Sequence, residues 1–388
     1  MRQAAFVGRN RRERALFGLY RESAPRFYWC VTWHIHFACN QDCIYCFNKS
    51  SPSVAEMAPD YEKALAELAR VKPKHLCISG GEPTLVPEIV PIIRRLREGC
   101  GEGMQIEFNS NCTGRPELLP EILPHANILA ASIDGAGEVN REQRGVDGDV
   151  VLAAIEKIAT HPYPSWSRFR RIMAVPTATI RSYARLPELF DRLREIKRKS
   201  PLEMSVEVKP VFPYHKPLSP ASRPEAWEDF VARSREWEKE YKEIRVEVRG
   251  VSAFSGLNRG GGKMRSKCWR QFFTAMLWPN GIWTYCKPDW FSRNYFIPSY
   301  RDGGRRDKLR AAIESVHSLF LAPCDLTCYA PCEHGENLDR ALSAGRASAL
   351  AEEAERIGLS IPPGELRDVC AFIKRRCNPS LVMDLDRA

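Results

Sequence analysis

The stretch Cys39-Asn40-Gln41-Asp42-Cys43-Ile44-Tyr45-Cys46 places three thiols within one short turn, in a C-x3-C-x2-C spacing. Fourteen cysteines in 388 residues give roughly 0.02 such triplets by chance. Three thiolates this close suit one face of an iron–sulfur cube. A structural site normally has four ligands, so a triplet leaves one iron open to another group. The alternatives are zinc, whose ligands usually come as paired C-x2-4-C units, and unrelated buried cysteines.

Outward from this turn, apolar strand-like runs alternate with helical patterns over residues 28–212. The expected strands are Tyr28–His34, His75–Ser79, Met104–Asn109, Ile128–Ser132, Arg171–Val175 and Met204–Val208. Helices are predicted between them, among others Tyr61–Ala69, Val86–Arg97, Val151–Thr160 and Leu186–Lys199. Repeated strand-then-helix units imply parallel strands joined by right-handed crossovers. Six of them make an α/β fold, an incomplete (β/α)6 TIM-like barrel or open curved sheet, with its site at the carboxyl ends of the strands. Before this region lies a basic extension, residues 1–27. After it come a proline-rich linker and an amphipathic helix (213–262), a cysteine-rich segment (263–335) and a helical tail (336–388).

Composition narrows the function. No run approaches the length of a membrane span. The basic first residues lack the apolar core of a secretory signal, so the expected compartment is the cytoplasm, where thiols serve as metal ligands rather than disulfides. The net charge of +10 is spread along helices, and no nucleic-acid-binding motif is present. Part of that charge would suit an anionic substrate or an acidic electron donor such as a flavodoxin or ferredoxin.

At this point the chain resembles the radical S-adenosylmethionine (radical SAM) enzymes, whose signature is C-x3-C-x2-C with an aromatic before the last Cys, here Tyr45. The resemblance implies a 4Fe–4S cluster on Cys39, Cys43 and Cys46. SAM would chelate the open iron and be cleaved reductively to methionine and a 5′-deoxyadenosyl radical that abstracts hydrogen from substrate. Gly80-Gly81-Glu82-Pro83, after the second strand, is similar to the family's element for the SAM amino group. Asn109 and Ser110, ending the third strand, fall where ribose would lie. Ser132 and Asp134, with Arg144 ten residues on, look like the family's S-x-D-G…R-G stretch, which implies contacts to ribose and to the methionine carboxylate.

The cysteine-rich segment resembles the opening of the SPASM and Twitch extensions of that family. Cys268 is followed by 12 residues, Gly281, four residues and Cys286. Asn280-Gly281 is the favoured two-residue hairpin turn, in which both residues take positive φ. Cys324-x3-Cys328-x3-Cys332 departs from the longer spacing of the full extension. The resemblance implies one auxiliary 4Fe–4S cluster, or two, on Cys268, Cys286 and members of the Cys324, Cys328 and Cys332 group, with a zinc hairpin as the alternative. Cys370 and Cys377 in the tail are read as structural.

Further candidates each have a plainer role. Cys112 is a candidate hydrogen donor to a substrate radical, or a small buried apolar residue. His34 and His36 share a face before the cluster turn, for packing or as a substrate contact. The expected activity is a radical SAM oxidoreductase or epimerase acting on a small polyhydroxylated substrate, a carbohydrate or aminocyclitol. The alternatives are a SPASM-type peptide or protein maturase, for crosslinking or sulfatase-type oxidation, and a non-catalytic iron–sulfur or zinc-binding interaction protein.

Overall fold

In the computed structural model the described residues are 30–46, 58–101, 103–211, 217–249, 274–281, 283–284 and 296–297. Cys268, Cys286, Cys324, Cys328, Cys332, Cys370 and Cys377 lie outside them. The chain divides into two compact units. The larger comprises Val31–Gly262 with Met276–Ile282. Its elements begin with β1 (Cys30–His34), α1 (Tyr61–Val71), β2 (His75–Ser79), α2 (Ile89–Cys100), β3 (Gln105–Ser110) and α3 (Leu119–Ile122). They continue through β4 (Ile128–Ala131), α4 (Gly137–Arg144), α5 (Gly148–Ala159), β5 (Arg171–Ala174), β6 (Thr177–Ala178), α6 (Leu186–Lys199), β7 (Glu203–Pro210), α7 (Pro224–Glu240) and β8 (Val246–Val248). Of the smaller unit, the described residues include β10 (Trp283–Thr284) and β11 (Phe296–Ile297), paired antiparallel with Trp283 opposite Ile297. Strand β9 is Thr274–Leu277.

The main strands lie in the order β1-β2-β3-β4-β5-β7. The pairs from β2 to β7 are parallel, with Cys77 opposite Glu107, Asn109 opposite Ala130, and Ala130 opposite Met173. The register follows from a strict alternation. Leu76, Ile78, Ile106, Phe108, Leu129, Ile172 and Val208 are fully buried on one face. His75, Cys77, Glu107, Asn109, Met173, Ser205, Glu207 and Lys209 share the other, half-buried face.

Helices cover the apolar face because their apolar residues recur at helical spacing. Helix α2 buries Ile89, Ile92, Ile93 and Leu96, and α6 buries Leu186, Leu189, Phe190, Leu193 and Ile196. Each large side chain so buried contributes about 1.5–3 kcal/mol. Truncating fully buried Leu193 to Ala would cost about 2–5 kcal/mol. Caps set the helix starts. Asp60 accepts from Lys63 N at α1, and Asp147 accepts from Asp149 N at α5, so α5 begins before the expected Val151. Residues Pro83–Leu85 form a 3-10 turn capped by Glu82, and this delays α2 to Ile89.

Three differences from the sequence reading concern topology. Helix α4 and the short strand β6, parallel to β7, add to the expected pattern. The sheet also runs past the expected six strands. Helix α7 leads into β8, which pairs parallel with β7, Val206 opposite Val246. The Asn280-Gly281 turn is of another type than expected. Gly281 N donates to Trp278 O at 2.9 Å and only Gly281 has positive φ (+71°). The turn therefore spans Trp278 to Gly281 with Pro279 at its second position, where the fixed proline φ is favourable.

Candidate functional site

The turn bearing the three cysteines follows β1 and is held by three neighbouring strand ends. Gly81 N donates to His36 O at 2.7 Å and Glu82 N donates to Ala38 O at 2.9 Å. Only glycine permits this approach. A Cβ on Gly80 would lie 2.1 Å from His36 O, and one on Gly81 would lie 2.0 Å from Ala38 O. The two glycines thus accommodate the chain leading into Cys39. Pro83 is buried behind them at the start of the 3-10 turn.

Glu82 is 1% exposed. Its Oε1 accepts from Thr84 N (3.1 Å), Thr84 Oγ1 (2.7 Å) and Ser110 Oγ (2.9 Å), and its Oε2 accepts from Asn111 N (2.6 Å). Burial pushes this carboxyl up, while the bonds from Asn111, Thr84 and Ser110 pull it down. The carboxylate ties the end of β2 to the end of β3. Asn111, just beyond β3, then reaches the cysteine turn. Its Nδ2 donates to Asn40 Oδ1 at 2.8 Å and to Cys39 Sγ at 3.8 Å. Thr113 Oγ1 accepts from Asn40 Nδ2 (3.1 Å) and Gln41 Nε2 (3.0 Å).

A second brace comes from β4 and α4. Asp134 is fully buried and accepts from Tyr45 Oη, from Arg144 Nη2 at 2.9 Å and from Thr177 N at 2.7 Å. Arg144 Nη1 donates to Cys43 Sγ at 3.9 Å, and the guanidinium lies 5.7 Å from the Tyr45 ring centre. The carbonyls of Gln143 and Arg144 accept from Ile44 N and Asp42 N. Ser132, half-buried, donates its backbone N–H to Ser110 O at 2.8 Å.

Cys39 is exposed, and Cys43 and Cys46 are partly buried; none is in a disulfide. Burial pushes the Cys43 thiol up to about 11 against the pull of Arg144, with Asp134, Cys46 and Cys39 adding to the rise. Burial also raises Cys39, with Glu82 and Cys46 contributing. Among the described residues no three His, Cys, Asp or Glu side chains close around a single ion. A cube spreads its ligands over separate irons, which suits three thiols in one short turn, whereas zinc ligands usually come as paired C-x2-4-C units. Arg144 Nε and both ends of the Gln143 amide, all buried, have no protein partner. Of these, Arg144 Nε and Gln143 Nε2 are donors, which suit a sulfur-rich group; Gln143 Oε1 is an acceptor.

Cys112 is 1% exposed, with φ of +59°. Its N–H donates to Ser110 Oγ at 2.9 Å, its thiol points to Ser110 O at 3.8 Å, and burial pushes the thiol far up. It is an interior residue. His34 stacks against two rings, 4.9 Å from Trp278 and 5.8 Å from Phe37, which also touch each other. His36 Nε2 hydrogen-bonds Glu82 O at 2.7 Å. On the half-buried sheet face the structure gathers Asn109, expected near the ribose, with His75, Cys77 and Glu107, which were not singled out as site residues. Asn109 Nδ2 donates to Cys77 Sγ at 2.7 Å, Cys77 Sγ approaches Glu107 Oε1 at 3.5 Å, and His75 Nε2 lies 3.3 Å from Glu107 Oε2. Burial works to raise the Glu107 carboxyl, but His75, Lys209 and Cys77 bring it below the usual range. The period-two alternation of polar residues in these strands was the available signal.

Residues 33–190, which include the triplet and every strand end described above, match the model of the radical SAM superfamily. The chain carries a radical SAM domain. It is 31% identical over 150 residues to the AdoMet-dependent heme synthase of Methanosarcina barkeri, covering 37% of this chain and 41% of that protein. It is 29% identical over 142 residues to the mycofactocin maturase MftC of Mycobacterium tuberculosis, covering 34% of each. The chain thus spans less than half the length of these curated relatives. The fold is similar to that of Streptococcus suis SuiB bound to its precursor peptide SuiA. That structure superposes with a TM-score of 0.56 at 16% identity, over 83% of this chain and 75% of the other. No helix among the described residues is long and apolar enough to cross a membrane.

Proposed function

We propose that this chain is a radical SAM enzyme that modifies a peptide or protein substrate. The observation that carries the enzyme reading is the family match over residues 33–190 together with three thiols of one turn in the signature spacing. In this reading Cys39, Cys43 and Cys46 hold the cluster. Asn111 and Arg144 donate to its ligand sulfurs, and Glu82 and Asp134 brace the turn from two strand ends. When bound, cluster and SAM supply a radical able to remove a hydrogen atom from an unactivated carbon. Asn109 and Ser132 remain the candidates for SAM's ribose, since both end strands beside the turn and neither is fully buried. The array of His75, Cys77 and Glu107 faces the same side of the sheet as Asn109, where it would offer proton-transfer groups to substrate.

The peptide class is supported by the maturase relative, whose name states that it matures mycofactocin. This reverses the preference for a carbohydrate or aminocyclitol, which none of the relatives named above supports. The heme synthase, matched over a slightly longer stretch, favours a second reading, a small-molecule substrate of tetrapyrrole type. Auxiliary clusters on Cys268, Cys286 and the Cys324–Cys332 group, and an acidic electron donor, remain part of the proposal. The test has two stages. Anaerobically reconstituted protein with SAM and reductant should release 5′-deoxyadenosine; none, with the clusters intact, ends the enzyme reading. A library of Cys-, Ser- and Tyr-containing peptides is then screened by mass spectrometry for SAM-dependent loss of hydrogen. No change in any peptide, with modification of an added porphyrin precursor instead, would move the assignment to the second reading.

A further inference from the structure

Arg144 is expected from sequence at the carboxylate of SAM, but the structure turns it toward the cysteine turn. It is 7% exposed, with one nitrogen on Asp134 at 2.9 Å and another on Cys43 Sγ at 3.9 Å. Its Nε is buried without a protein partner. The contact with sulfur is fixed from both sides. Helix α4 ends at Arg144, and the carbonyls of Gln143 and Arg144 take the N–H groups of Ile44 and Asp42, which flank Cys43. Asp134 holds the guanidinium from below and is itself fixed by three donors, including the hydroxyl of Tyr45. Its own N–H donates to Asn140 Oδ1 at 2.8 Å. Tyr45, Cys43, Arg144 and Asp134 therefore form one linked unit, buried at Asp134 and Arg144 and partly exposed at Cys43 and Tyr45.

On the radical SAM reading, we infer that Arg144 is a positioning residue that sets the reduction potential of the cluster through a charge-assisted N–H···S bond to Cys43, with Asp134 as the counter-charge that moderates it. Reduction adds negative charge to the cluster and its sulfurs. A donor and positive charge beside a ligand sulfur stabilise that charge and raise the potential. The Asp134 carboxylate, one residue removed from the sulfur, opposes this. The two side chains therefore act with opposite sign. Arg144→Gln lowers the midpoint, because charge and donor strength are lost together. Asp134→Asn raises it, because the guanidinium keeps its charge without a neutralising partner. A role confined to bracing the turn would shift both variants in one direction or move neither.

The experiment uses the full chain, anaerobically reconstituted, as wild type, Arg144→Gln, Asp134→Asn and Cys43→Ala. The midpoint is followed by EPR-monitored redox titration of the signal that changes on adding SAM, and SAM binding is measured on the same samples. Persistence of that signal in Cys43→Ala would sink the underlying assignment of the cluster to the triplet. With the signal lost there, the expected result is a more negative midpoint for Arg144→Gln and a more positive one for Asp134→Asn. Unchanged midpoints, or shifts of the same sign, overturn the inference. So does an Arg144→Gln variant whose only change is weaker SAM binding, since that is the mark of a carboxylate clamp. Should Arg144→Gln fail to retain iron, Arg144→Lys replaces it: with the charge kept and the directed N–H···S bond to Cys43 lost, the midpoint should still become more negative, and an unchanged midpoint overturns the inference.

Discussion

Replacing Glu82 with Gln separates a ligand-binding carboxylate from a structural one. The carboxylate takes four hydrogen bonds, three on Oε1 and one of 2.6 Å from Asn111 N on Oε2. In the Gln variant the amide oxygen can keep the Oε1 partners, and the amide nitrogen then faces the Asn111 N–H. One charge-assisted bond is lost, worth about 1.5–3 kcal/mol, and a buried donor is orphaned at about 1–3 kcal/mol. Part of this is offset, because a neutral amide avoids the burial cost that raises the Glu82 carboxyl. The net expectation is a loss of about 3 kcal/mol, a large share of the ~5–15 kcal/mol that holds a domain together. Urea unfolding of the cluster-free protein, without SAM, measures it. The pH dependence adds a signed check. A folded-state carboxyl raised above 4.5 makes wild type less stable as pH rises through the window above that value, whereas Gln does not titrate. The gap between the two proteins should therefore be widest at low pH and narrow as pH rises. A variant as stable as wild type to within about 0.5 kcal/mol, but impaired in SAM binding, would refute the structural assignment and restore the ammonium-binding one.

Other perturbations follow from the same geometry. Gly81→Ala places a Cβ 2.0 Å from Ala38 O, so the cysteine turn must separate from β2; lower iron retention on reconstitution is expected, and wild-type iron content would contradict it. Cys112 sits at φ +59°, a conformation costing a non-glycine residue about 1–2 kcal/mol. Cys112→Gly should therefore unfold at higher urea than Cys112→Ala, and the reverse order would show that strain is not what the site stores. Burial holds His36 below its ordinary value of 6.5, so its protonation on acidification favours unfolding. Wild type should lose stability as pH falls through about 6.5, and His36→Asn should lose less over that range; parallel curves would exclude His36 as the source.

The fold was legible where one periodicity dominates. His75–Ser79 and Leu186–Lys199 lie where alternation and helical spacing place them, to the residue. Boundaries moved where a side chain, rather than hydrophobic pattern, decides the start: Glu82 caps the turn that delays α2, and Asp147 opens α5 early. Strand β8 escaped because three residues, Val246–Val248, carry too little alternation to register, and its place is secured by pairing with β7. The Pro279-Asn280-Gly281 turn was misassigned because Asn-Gly alone suggests two positive φ angles, while the preceding proline favours a turn in which only the glycine adopts one.

The candidate site shows a different limit. The residues that spacing singled out, Tyr45, Glu82, Asp134 and Arg144, lie around the cysteine turn, but spacing carries no information about direction. A carboxylate at a strand end can face a ligand or the protein, and the choice depends on which donors the neighbouring strands bring within reach. For Glu82 those donors are Thr84, Ser110 and Asn111, two of them 28 and 29 residues away. For Asp134 they include Thr177, 43 residues on. Both acids are thereby satisfied inside the fold, and the two strand-end motifs serve first to hold three thiols in place. Among the buried polar atoms without a protein partner, the donors Arg144 Nε and Gln143 Nε2 lie on the helix end beside that turn, together with the acceptors Gln143 Oε1 and, in the turn, Gln41 Oε1. An interior that satisfies its carboxylates and leaves donors beside sulfur is electrostatically prepared for a group that is negative and gains more negative charge when reduced.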